Sequence, residues 1–167
     1  MGKFHDLVVN TERYKASLNE FFLDMTSWKK FSPGIPLTWE RVQFGIGTRD
    51  DVPQTRGLYV FTLESSVAGL PQHGYILYAG ITGNTSAATL RSRYAQYLRH
   101  LANEDGRPLV YYMLAKWPEN LIFNFVPVPD TTVDLAAIEK SLLNAVMPPV
   151  NTADFDADIL AMKKAAF

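Results

Sequence analysis

The chain contains no cysteine, and only three of its 167 residues are histidine. Disulfides and thiolate metal sites are thereby impossible, and His5, His73 and His100 are too scattered to form a zinc-binding pattern. There is no His-x-x-x-His, no paired Asp-x-Asp and no Ser-centred elbow, so zinc hydrolysis and triad chemistry have no support. No apolar run approaches the roughly 18 residues of a membrane span. Met1–Asn10 also lacks the basic-then-apolar pattern of a signal peptide, so no membrane partner and a reducing, cytoplasmic setting are expected. An excess of one charge is missing too: 16 basic residues stand against 17 acidic ones, a net charge of −1. A globally basic surface therefore cannot explain any partner. Internal repeats, low-complexity tracts and an interdomain linker are absent as well.

What is present suits one folded domain. Apolar residues make up 47% of the sequence, and a chain of this length can bury roughly two thirds of its unfolded surface. Charge is polarised along the chain. Trp28 to Arg107 carries nine basic and six acidic residues, whereas Glu119 to Asp158 carries seven acidic residues and Lys140 alone. The middle third could meet an anionic partner while the last third supplies carboxylates; solvated surface charge accounts for the same split.

Tyr14, Leu18, Phe21 or Phe22, and Met25 recur at helical spacing and predict a helix opening at Thr11 and stopping before Ser32, Pro33, Gly34 and Pro36. Leu37–Phe44 is a short strand candidate. The Gly45-x-Gly47 that follows resembles half a phosphate loop, but position 50 is Asp where the dinucleotide fingerprint wants glycine. Gly57–Leu63 and Tyr75–Thr82 read as a hairpin apolar on both faces, which predicts a sheet covered on both sides. Helices are predicted over Ser86–Asn103, Pro108–Lys116, Val133–Val146 and from Phe155 onward. Leu121–Val128 is a third strand, which Pro127 should keep at an edge.

On a helical wheel with Leu135 at zero, Ile138 falls at about 300°, Leu142 at about 340° and Val146 at about 20°. Glu139, at about 40°, lies inside that apolar arc. It is either an inward carboxylate needing a cation or hydrogen bonds, or a boundary residue reaching solvent past Ala136. On the earlier helix Arg91 and Arg93 border the apolar stripe of Leu90, Tyr94, Tyr97, Leu98 and Leu101 from opposite sides. Geometry alone does not choose between them, and an arginine on such an edge usually snorkels.

Gly57-Leu58-Tyr59 and, nineteen residues after Tyr59, Tyr78-Ala79-Gly80 resemble the two-strand signature of the GIY-YIG endonuclease superfamily. Leu90-Arg91-Ser92-Arg93-Tyr94-Ala95-Gln96-Tyr97 is similar to the arginine-bearing helix of its excision-repair nuclease branch. Glu139, the apolar pair Leu142-Leu143, Pro148 and Asn151 follow the order of the family's last marked helix. The resemblance covers Pro53 to Asn151. Leu58 and Ala79 replace the central isoleucines, Ser92 replaces a common lysine, and Thr85–Thr89 reads as an insertion.

The resemblance implies an α+β fold with a central three-stranded antiparallel sheet flanked by helices. Residues 1–52 would be a helical extension packed on the same domain, 53–151 the nuclease core and 152–167 a C-terminal helix. It implies a metal-dependent endonuclease acting on DNA. Glu139 would hold one divalent cation, Mg²⁺ or Mn²⁺, since a hard carboxylate oxygen suits it. Arg93 would clamp the scissile phosphate with its planar fork. Tyr59 would be the general base, which needs a neighbouring arginine and metal to lower a phenol pKa of about 10. Tyr78 would orient the water, Tyr97 would stand at the auxiliary position, and Gly57, Gly80 and Asn151 would support the site. For each tyrosine a core aromatic with a satisfied hydroxyl is the competing reading. Lys29, Lys30, Arg56 and Arg91 are candidate backbone contacts, with Trp28 or Trp39 nearby for stacking. A noncatalytic nucleic-acid or protein binding module and an RNase are the alternatives. Oligomeric state stays open, although cutting both strands from one site requires a dimer or two sequential events.

Overall fold

The computed structural model describes residues 3–65 and 68–166, so Phe167, the end of the expected C-terminal helix, lies outside them. The elements are α1 (Lys3–Ser17), α2 (Met25–Trp28), β1 (Glu40–Gln43), a 3-10 turn (Ile46–Asp51), β2 (Gly57–Ser65), β3 (His73–Thr82), α3 (Leu90–Asn103), α4 (Pro108–Lys116), β4 (Leu121–Pro127), α5 (Leu135–Val146) and α6 (Ala157–Ala166). The fold is α+β, a single antiparallel sheet of strand order β1-β4-β2-β3 flanked by helices.

Strand periodicity sorts the core. Tyr59, Phe61 and Tyr78 point to one face and pack with Tyr94 and Tyr97 of α3 and Met113 of α4. Val60 and Ala79 point to the other and pack on Leu142 and Leu143 of α5, as Leu58 does on Leu135 and Ile138. A register shift after Phe61 leaves Leu77 unpaired in the ladder, and this bulge turns Leu77 into the α3/α4 core beside Tyr78.

Three expectations need correction. The sheet has four strands, because Glu40–Gln43 pairs with Gln43↔Ile122 through Glu40↔Phe125; the 1–52 segment thus supplies a strand as well as helices. β4 is interior and β3 is the edge. Pro127 is tolerated because β1 has ended before reaching it, so no neighbour on that side asks for the missing N–H. The N-terminal helix ends at Ser17 and does not run on to Met25. Phe21 packs into the α3/α4 core and stacks on Tyr75 at 4.3 Å, whereas Phe22 packs on the α5 side. Adjacent residues serving opposite faces of a sheet require extended chain, so packing overrides helical spacing here. Asp24 then caps α2, its carboxylate accepting from the Thr26 N–H at 2.9 Å.

The edge of β3 is covered by the chain leaving α5. The Ala79 N–H donates to Asn151 Oδ1 and Asn151 Nδ2 donates to the Ala79 carbonyl, both at 2.9 Å. The Val150 N–H donates to the Leu77 carbonyl at 3.0 Å. Lys163 of α6 holds this segment from outside through the carbonyls of Pro148 and Asn151, at 2.9 and 2.6 Å. Asn151 is buried, so Asn151→Ala strands both a donor and an acceptor of β3. A loss of about 2 kcal/mol is expected in urea denaturation; a variant as stable as the wild type would remove this role.

Candidate active site

The register Tyr59↔Gly80 and Phe61↔Tyr78 sets the hairpin tyrosines two positions apart on the α3/α4 face. Gly80 leaves room for Tyr59 to lie across β3: a Cβ at residue 80 would sit 2.4 Å from the Tyr59 hydroxyl oxygen. Gly57 is required one strand over, where a Cβ would meet the Val126 carbonyl oxygen at 2.1 Å. The hydroxyls of Tyr59 and Tyr97 share a hydrogen bond of 2.9 Å. Ring centroids of Tyr59, Tyr78 and Tyr97 are 5.9 to 6.3 Å apart, so the three phenols form one cluster.

Helix α3 delivers Tyr97 and Arg93. Thr89 and Ser92 form a capping box, so the serine that stands in place of lysine has a helix-starting task. The Leu90 and Arg91 N–H groups donate to the carbonyls of Thr55 and Pro53, at 2.8 and 3.1 Å, which ties the helix start to the chain entering β2. Arg93, half-buried, donates through Nη1 to Gln96 Oε1 at 2.7 Å, while its buried Nε has no partner. An unpaired buried guanidinium donor is costly and signals an expected acceptor.

Glu139 is half-buried on α5. Burial, followed by the nearby Asp154 carboxylate, pushes its pKa up to about 7, against the pull of the Ile81 N–H and of Arg93 and Arg107. Half-burial places the side chain between the two readings of the helical wheel, neither in the core nor free in solvent.

Tyr59 is held well above the ordinary phenol value by burial first and by Tyr78 second; the hydrogen bond it shares with Tyr97 and the charge of Arg93 act the other way, and Glu139 adds to the rise. The lowering by an arginine that the resemblance requires is thus present, but burial outweighs it. Tyr97 is likewise held up, by burial and then by Tyr59 and Tyr78. Tyr59, Tyr78, Tyr97, Arg93 and Glu139 accordingly lie within one electrostatic neighbourhood.

Comparison of the chain with protein-family models, with curated proteins and with solved structures finds no match. The motifs and their geometry are what a functional reading rests on.

Two candidate contacts are occupied elsewhere. Arg56 donates to the carbonyls of Gly83, Asp130 and Val133 and to Asn84 Oδ1, stapling the loop after β3 to the start of α5. Arg91 donates to the Val52 and Asp50 carbonyls, at 2.7 Å each. Backbone carbonyls thus engage both guanidinium groups, which leaves fewer donors for an outside anion. Lys29 and Lys30 are exposed. Lys30 lines an open groove with Lys140 and Asn144, away from the phenols, and Trp28 and Trp39 line a cleft over Val60 on the α5 side.

The sequence reading missed two members of the neighbourhood. Arg107 at the start of α4 donates through Nη2 to the Tyr78 hydroxyl and lies with Cζ 5.3 Å from that ring centroid. Asp154, in a left-handed backbone position at φ 69°, is near enough for its charge to raise the pKa of Glu139. Neither falls on a periodic element, and only the folding of two loops brings them here. Among the described residues no group of three or more His, Cys, Asp or Glu could hold a metal, and no helix is long and apolar enough to cross a membrane.

Proposed function

We propose that this protein is a GIY-YIG-type endonuclease that hydrolyses DNA phosphodiester bonds with a divalent cation. The observation that supports this most is the cluster of three phenols with, in Coulombic range of Tyr59, a guanidinium bearing an unpartnered buried donor and a carboxylate whose own surroundings penalise its charge. A half-buried carboxylate at pKa about 7, with the Asp154 carboxylate near it, fits a hard divalent cation that takes its remaining ligands from water and phosphate. Glu139 would hold it, as Mg²⁺ or Mn²⁺. Bound there, the cation supplies positive charge for the phosphate oxygens and the departing oxygen.

The residues do the rest. Arg93 binds the scissile phosphate through the donors not used by Gln96 and stabilises the pentacovalent phosphorane. Tyr78 and Tyr97 hold the water and the Tyr59 hydroxyl in place, and Tyr59 as phenolate takes the water's proton while the water oxygen bonds to phosphorus; the P–O bond to the departing sugar then breaks, and its oxygen leaves with a proton from solvent water. Because burial holds the Tyr59 proton well above the ordinary value, the phenolate fraction rises about tenfold per pH unit. The cleavage rate should therefore climb without a plateau from about pH 7 to pH 9; a plateau near neutrality would remove Tyr59 from the base role.

Supercoiled plasmid incubated with the protein and Mg²⁺, beside an EDTA control, Glu139→Ala and Arg93→Ala, tests the reading. Nicking that needs the metal and both side chains is the expected result. A mobility shift of the plasmid with no cleavage would overturn it in favour of a binding module.

A further inference from the structure

Arg107 has no counterpart among the motifs that carry the nuclease reading. It stands at the N-cap of α4, yet its side chain makes no capping bond. Its guanidinium is instead fixed along one edge by the Tyr78 hydroxyl and across its face by the Tyr78 ring. Nε and Nη1 have no protein acceptor, and no carboxylate pairs with it among the described residues. The residue is exposed, beside the buried phenols.

The other arginines of the charged middle segment near the site differ in kind. Arg41 is paired with Glu64 at 2.7 Å, and Arg56 and Arg91 are spent on backbone carbonyls. Arg93 is the inner guanidinium, and Arg107 joins it in acting on Glu139. A guanidinium held on one edge and one face has already lost much of its side-chain freedom, which lowers the entropic cost of binding an anion with the remaining donors.

We propose that Arg107 is a second phosphate-binding residue of this site, held for that task by Tyr78, and that it contacts the sugar-phosphate backbone of duplex DNA beside the scissile position taken by Arg93. This rests on the nuclease reading and adds to it the residue that sets the strand against the phenols. Arg107 is a positioning residue here: it touches substrate away from the reacting bond, and no proton or leaving group passes through it.

The test is binding of a short fluorescent duplex in EDTA, by anisotropy over a series of salt concentrations, so that no cleavage is needed. Each lost phosphate contact makes the slope of log K against log salt shallower by about 0.9. Arg107→Gln should show that change and Arg107→Lys should largely restore the wild-type slope. Tyr78→Phe keeps every charge and the ring but removes the hydroxyl that holds the guanidinium edge, so weaker binding at each salt concentration with an unchanged slope is expected. Thermal melts of the variants establish that they are folded. If Arg107→Gln binds along the wild-type line while Arg93→Gln does not, the Arg107 proposal is wrong and the nuclease reading stands. If Tyr78→Phe binds as the wild type does, the anchoring is wrong. If the wild type neither binds duplex nor nicks plasmid, the nuclease reading falls and takes this proposal with it.

Discussion

Arg93→Ala is expected to slow plasmid nicking by about 10²–10³-fold, the loss typical of removing one preorganised donor from developing negative charge, with no fall in thermal stability. The second half of that expectation is unusual for a half-buried residue and follows from its bonds. Among the described residues the only side-chain partner of Arg93 is Gln96, on the same helix one turn on, and its Nε is buried without an acceptor. A buried unsatisfied donor costs about 1–3 kcal/mol, and alanine removes that cost along with the packing of the aliphatic stem. Melting curves beside the nicking assay check both halves. A variant that melts several degrees lower and still cuts would make Arg93 a structural residue and leave the phosphate without its clamp.

Glu139→Gln should abolish cation-dependent cleavage and also flatten the dependence of stability on pH. In the unfolded chain this glutamate titrates near 4.5, and in the fold it titrates at about 7. The folded protein thus binds the proton more tightly, so the contribution of this group is fully present below about pH 4.5 and is lost as pH rises through 7. Because the side chain is only half-buried, solvent screening holds the loss well below what the full shift would give. Glutamine has no proton to lose but can still accept from the Ile81 N–H. Urea denaturation at pH 5, 6.5 and 8 in EDTA should show the wild type falling relative to Glu139→Gln as pH rises. Mg²⁺ at pH 8 should restore the wild type and leave the variant unmoved. Parallel pH profiles for the two proteins would show that the carboxylate is not constrained as described.

The regular elements were legible because their signals are local. Pro108–Lys116 is a helix over the residues that composition and the leading proline mark, and Gly57 opens β2 where the apolar run begins. Glu139 could be singled out because one charged residue in an apolar arc is visible on a wheel. Illegible features depended on where separate segments meet. Phe21 and Phe22 look like helix-face residues until the edge of a sheet comes between them. Pro127 looks like an edge marker until the shortness of β1 is known. Arg56 and Arg91 look like free cations until the carbonyls of Asp130, Val133 and Val52 arrive beside them. Arg107 and Asp154 belong to the site only because of loops that carry no periodicity.

An open rim is where one sheet can template strands from another molecule. On β3 that rim is plugged at Leu77 and Ala79 by Val150 and Asn151. The asparagine that ties the exit of α5 to the strand thus leaves less of the rim open to a second molecule. Variants lacking it should be watched for clumping on storage as well as for lost stability.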